Sequence, residues 1–182
     1  LAHWALDLRH PCVVEATGPP PDSDSTPPKL TVHYEYPARG QQPLVKLTWS
    51  VGVNRPEGFV EGKMPPWDAG VLFIGEKGII AADYGQHQLL PEADFAGFQP
   101  PAPRIAPSIG HHKEWIRGCK EGTPTLCNFE YSGALTEAVL LGNVAYRSGC
   151  RVEWDSARMR IPNAPEAERF LRREYRAGFG WS

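Results

Sequence analysis

The sequence predicts an α+β fold, an open, mostly antiparallel β-sheet with helices packed on one face. Three observations carry this. Alternation of apolar and polar residues dominates the first half. Helical periodicity is concentrated in the second half. The spacers between neighbouring strands suit hairpins rather than βαβ crossovers. The chain has 182 residues, 41% hydrophobic and 22% charged, enough for a core and incompatible with disorder. No internal repeat and no linker divides it, so a single domain is expected.

The elements follow in order. "LAHWALDLRHP" places Leu1, Trp4, Ala5 and Leu8 on one helical face, with no capping residue before them. It reads as the middle of a helix, and the expectation is a chain cut from something longer. "CVVEATG" is a short strand, and "GPPPDSDSTPP" is a Pro/Ser/Asp loop. In "KLTVHYEYPA", Leu30, Val32, Tyr34 and Tyr36 share one face, opposed to Thr31, His33 and Glu35. "PLVKLTWSVG" sets Val45, Leu47, Trp49 and Val51 against Lys46, Thr48 and Ser50, and the "RGQQ" spacer makes the two strands antiparallel neighbours. "GVNRPEGFVEGKMPPWD" breaks the pattern as a long loop bearing Arg55, Lys63 and Trp67. "GVLFIGEKGIIAADY" gives two strands about a tight turn, with "HQLLP" as a third, and the proline-rich 91–107 segment is irregular.

Ser108 is expected to cap a helix running to about Lys120, with Ile109, Trp115, Ile116 and Cys119 turned inward. Ser132–Arg147 is apolar on nearly every side and ends at Gly149, so it should be a buried helix covered from several directions. Glu137 and Asn143 interrupt it, and a contact to backbone or to the missing domain, in a structural role, is expected for them. "CRVEWD" is a last strand, and "NAPEAERFLRREY" reads as a terminal helix with Asn163 and Glu166 as a capping box.

A net charge of −2 without a basic run excludes nucleic acid and anionic membrane as partners. No signal-peptide pattern is present, and no apolar run approaches the roughly 18 residues of a membrane span. Cys12, Cys119, Cys127 and Cys150 form no CxxC pair, which argues against zinc and for buried free thiols.

"GVLFIGEKGIIAADYGQHQLLPE", "HHKEWIRGCKEGTP", "NFEYSGALTEAVLLGNVAYRSG", "VEWD" and "NAPEAERFLRREYRAGF" occur in this order over nearly the whole chain. Together they resemble the C-terminal domain of glucose–fructose oxidoreductase/inositol dehydrogenase-type (Gfo/Idh/MocA) enzymes, in a bacterial subgroup abundant in planctomycetes. The resemblance implies a parent enzyme that depends on NAD or NADP, with an N-terminal dinucleotide-binding domain absent from this sequence. Residues 1–182 then form the substrate-binding and oligomerisation domain, and residues 1–8 are a remnant of the interdomain helix. This chain has no GxGxxG and lacks the family's N-terminal lysine, and the family's Asp and His pair falls upstream of Leu1. His3 stands where the family is usually aromatic, so no catalytic role passes to it. The chain alone is expected to be inactive and to bind no cofactor. The resemblance also implies that the 132–147 helix lies between the sheet and the missing domain. Bacterial cytoplasm and periplasm are both compatible with it.

What this chain offers is substrate positioning, for a sugar, cyclitol or related polyol. Asn128 and Tyr131 precede the expected start of the buried helix, where free N–H groups favour a polar ligand, or they tie down the loop and cap the helix. His111 and His112 fall in a first helical turn. One can hydrogen-bond a substrate hydroxyl, or both are surface or packing residues; adjacent positions diverge by about 100° and do not chelate one metal. Trp49 can stack on a sugar ring and Arg55 can hold a carboxylate or phosphate, or both are ordinary core and surface residues. Two other readings stand beside this one: a stand-alone carbohydrate-binding module, and a structural dimerisation domain whose interface is a sheet face bearing Tyr34, Tyr36 and Trp49.

Overall fold

The structure is a computed structural model that describes residues 1–52 and 64–180. The fold is α+β, with two antiparallel sheets among the described residues. The described chain forms two compact units, one from residues 3–52 and 134–180, the other from residues 1–2 and 64–133.

The first unit is built on the predicted alternation. Strands β1 (Val13–Thr17), β2 (Leu30–Tyr36) and β3 (Val45–Val51) join in the order β3-β2-β1. Opposite β1's other edge lies a two-residue strand, Val152–Glu153. The hairpin register pairs Val32 with Trp49, Tyr34 with Leu47 and Tyr36 with Val45, so these side chains share a face. A 20-residue helix, Phe129–Ser148, contributes Leu141, Val144 and Ala145 to the core shared with Val14, Val32, Tyr34, Val152 and Ile161. Gly142 sits where strand and helix come closest. A Cβ there would lie 2.5 Å from the Tyr34 hydroxyl and 3.3 Å from Val32 Cγ1, so only glycine fits without displacement. The opposite sheet face carries Glu15, His33, Glu35, Lys46, Thr48 and Glu153.

Burial corrects one expectation. Tyr34 and Tyr36 are 6% and 1% exposed and belong to the core, whereas Trp49, on the edge strand, is 47% exposed. The two tyrosines are therefore covered and unable to form a subunit interface.

The second unit contains a three-stranded meander, Val71–Gly75, Gly78–Ala82 and His87–Leu90, as the sequence suggested. These strands are named β4, β5 and β6, and the two-residue strand above is β7. A short 3₁₀ helix, Glu92–Phe95, follows β6. Helix α2, His111–Glu121, starts after Gly110 rather than at Ser108. Ser108 Oγ instead accepts the Gly110 N–H at 3.0 Å, which spends the hydroxyl before the helix begins. None of its residues is buried: Ile116 is 46% exposed, Trp115 66%, and Cys119 is exposed as well, while Ile109, expected on the same face, precedes the helix and is also exposed. The inward face expected from periodicity has no cover. The helix is held by the Glu114 carboxylate accepting the Leu126 N–H and by Gly118 against Thr123 and Thr125.

Other details depart from expectation for local reasons. The long helix, α3, begins at Phe129, not Ser132, because Asn128 caps it. The terminal segment is a 3₁₀ helix, Pro165–Phe170, not a capped α-helix. Asn163 is occupied elsewhere: its Oδ1 accepts the Glu153 N–H and its Nδ2 donates to the Arg151 carbonyl. The opening helix, α1, is a single turn, Ala2–Ala5, and of its expected apolar face only Leu8 reaches the core. All four cysteines are free, but Cys119 and Cys127 are exposed.

Candidate functional site

The predicted site residues fall into separate groups. Arg55 and Lys63 lie outside the described residues. Asn128 and Tyr131 come together at the start of α3. Asn128 Oδ1 accepts the Tyr131 N–H at 3.0 Å, and its Nδ2 donates to the Thr125 carbonyl at 3.3 Å. One free helix N–H is thus satisfied from within the chain, as in any N-cap. The Tyr131 ring is half-buried.

His111 and His112 open α2 as exposed neighbours. Their ring centroids stand 4.1 Å apart at an interplanar angle of 46°. The rings are closer than the divergence of adjacent helical positions suggested. No group of three or more potential metal-ligating side chains occurs among the described residues. The two histidines and the Asn128–Tyr131 pair share the unit formed by residues 64–133, where the Glu114–Leu126 hydrogen bond links α2 to the turn before α3. Trp49 belongs to the other unit, at the free edge of β3. Trp67, in the part of the expected loop that is described, is half-buried beside Gly70.

Sequence reasoning missed a cluster of polar side chains at one end of the four-stranded unit. Glu137, which breaks the apolar run of α3, has its Oε1 2.8 Å from the donating Trp154 Nε1 and 2.7 Å from His10 Nδ1. Glu137 is thus paired, but with side chains of this chain rather than with backbone or a second domain as expected. Nearby, Tyr36 OH and His3 Nε2 are 3.0 Å apart, with the two rings edge to face. Burial lowers the His3 pKa, which favours a neutral ring whose Nε2 accepts the tyrosine proton. Burial also raises the Tyr36 pKa and pushes that of Tyr34 up to about 12, so both phenols stay protonated. Arg39 Nη2 donates to the Leu6 carbonyl and to Gln42 Oε1. The signal available in the sequence was the pair of core-facing tyrosines opposite a lone glutamate on an apolar helix. Its partners are remote in sequence, which is why the pattern alone did not name them.

α3 also shows where cover is lacking. Ala134, Ala138, Leu141 and Ala145 are buried, whereas Val139 and Leu140 are 56% and 55% exposed and Phe129 is 95% exposed. Asn143 lies on the exposed side. Among the described residues no helix is long and apolar enough to cross a membrane, so this surface is not a span. Neither a protein-family model nor a curated protein matches the chain.

Proposed function

We propose that residues 1–182 are the substrate-binding and oligomerising domain of an NAD(P)-dependent oxidoreductase of the Gfo/Idh/MocA type, acting on a sugar, cyclitol or related polyol. The observation that carries this reading is the half-covered apolar helix. Val139, Leu140 and Phe129 leave more apolar surface uncovered on α3 than a helix finished by its own chain would show. A neighbouring domain is the cover that the family resemblance supplies.

The described residues do not fit a dinucleotide. Of the two long helices, α2 follows a single glycine, Gly110, and α3 is capped by the Asn128 side chain, so neither starts with the glycine-rich turn that admits a pyrophosphate. Cofactor contacts are therefore assigned to the proposed N-terminal domain. The part left to this chain is to bind and orient hydroxyl groups. Asn128 Nδ2, the Tyr131 hydroxyl and the adjacent imidazoles of His111 and His112 provide donors and acceptors suited to a polyol. Assembly through the open sheet face would have to use Glu15, Glu35, Lys46 and Arg151 rather than aromatic side chains.

The test is calorimetry with NAD(H) and NADP(H), run on this chain and on the longer protein read from the coding sequence upstream of Leu1. The expected result is no affinity for the chain alone, and binding once a strand–GxGxxG–helix unit precedes it. Tight cofactor binding by the chain alone, or an upstream sequence without that unit, overturns the assignment.

A further inference from the structure

The four-stranded sheet ends on one side at β3, which has only β2 as a neighbour. Among the described residues no backbone hydrogen bond reaches its outer side. Such an edge is a template for another strand, and proteins that stay monomeric blunt it with proline, a bulge, shortness or charge. β3 has seven residues in unbroken register with β2, no proline, and Lys46 as its only charge.

The apolar row of this sheet also runs past the end of its cover. On β2, Leu30, Val32, Tyr34 and Tyr36 are all buried. Of their partners on β3, Val51 and Trp49 are exposed, and Leu47 and Val45 are only half-buried. Leu44, just before the strand, is exposed too. The core therefore stops one strand short of the sheet's edge. What would complete it is a further strand with apolar side chains on the same face.

We infer that β3 pairs antiparallel with β3 of a second copy about a two-fold axis at Thr48, joining two four-stranded sheets into one. The sequence of β3 itself selects this occupant. With the axis at Thr48 all seven residues find a partner: Val45 faces Val51 of the second copy, Leu47 faces Trp49, and Lys46 faces Ser50. Every side chain of the apolar row then meets an apolar one, and no like charges are opposed. An axis at Lys46 sets two lysines against each other, and any axis away from Thr48 leaves residues of β3 unpaired. The inference goes beyond the assembly stated above by naming the strand and its register. It uses β3 alone and does not rest on the oxidoreductase reading.

The experiment is sedimentation equilibrium of the 182-residue chain over a range of concentrations, joined to isotope-filtered NMR on a mixture of labelled and unlabelled copies. One strand pair is a small interface, so a dimer with a Kd on the order of 10 μM is expected. The NMR should show contacts from Trp49 of one copy to Leu47 of the other, and between the two Thr48 residues. Thr48→Lys and Thr48→Glu each oppose like charges at the axis and should weaken self-association about fivefold, whereas an equimolar mixture of the two variants should associate at least as well as the parent. A chain still monomeric at about a hundred times the expected Kd overturns the inference. So does a dimer whose cross-copy contacts lie elsewhere, such as the outer sheet face or α3, or a mixture of the two variants that associates no better than either alone. The cross-copy contacts of the unaltered chain decide the matter even if a variant fails to fold. Cofactor calorimetry is unaffected by any of these outcomes, so the two readings fail separately.

Discussion

The four-stranded unit and the three-stranded unit treat apolar residues in opposite ways. In the first, Val14, Val152 and Ile161 are 0% exposed and Tyr36 1%, packed beneath α3. In the second, among the described residues, only Ala81 and Leu90 are buried apolar residues, while Trp115, Ile116, Ile105 and Tyr84 lie open. Burial of apolar area is the main favourable term in folding, so the first unit carries its own stability and the second has little of its own. The candidate ligand contacts at His111, His112, Asn128 and Tyr131 all lie in the thinly cored unit. That placement agrees with the general finding that binding segments come from the less stable parts of a fold.

The largest effect should separate the two units directly. Ile161→Ala removes a fully buried side chain and should destabilise by about 2–5 kcal/mol in denaturant unfolding. Ile116→Ala, of the same chemistry on α2, should change stability by no more than about 0.5 kcal/mol. Equal losses would erase the contrast. Glu137→Leu comes next. It leaves Trp154 Nε1 without its acceptor in a residue only 7% exposed, and a loss of about 1–3 kcal/mol is expected in the same assay.

Gly142→Ala should be smaller. Alanine favours a helix interior by about 1 kcal/mol, but the new methyl collides with the Tyr34 hydroxyl, and overpacking costs about 1–3 kcal/mol. A modest net loss is expected in thermal melts. Adding Tyr34→Phe should recover it, because the colliding oxygen is gone. If the double variant is no better than the single one, the close approach is not what selects glycine.

The smallest effect is on pH dependence. Glu168 Oε1 accepts from Arg160 Nε at 2.7 Å and from the Ile161 N–H at 2.9 Å, and these bonds lower its pKa. A lowered carboxylate pKa contributes stability that is present above the unfolded value and lost as pH falls through the folded value. Melting temperature should therefore drop on acidification below the ordinary glutamate range, and Glu168→Gln should flatten that part of the profile. An unchanged profile would show that the Arg160 clamp has no weight.

The sheet was legible in the sequence because a two-residue period maps directly onto burial, as in Leu30, Val32, Tyr34 and Tyr36. The need for a partner at Glu137 was legible because a lone carboxylate on an apolar helix must be paired, but its partners, Trp154 and His10, come from other segments and were not legible. Capping was not legible at Ser108 and Asn163, because Ser108 is taken by a local turn to the Gly110 N–H and Asn163 by the backbone of residues 151 and 153. α2 shows the limit of periodicity. Its apolar stripe is present, but a stripe indicates what needs cover without supplying the cover. At the candidate site, Asn128 and Tyr131 were found through their position before a helix, whereas the pairing of Glu137 with His10 and of Tyr36 with His3 joins segments far apart in the chain.

The central claim is that residues 64–133 and the open flank of α3 depend on a neighbouring domain. Amide hydrogen exchange tests it most directly, measured on this chain and on the longer protein proposed above. The expected result for the chain alone is strong protection in β1, β2 and the second half of α3, with rapid exchange across α2. In the longer protein, protection should rise at α2 and around Phe129–Leu140. Near-uniform protection in the chain alone, or no rise when the neighbour is attached, would contradict the account.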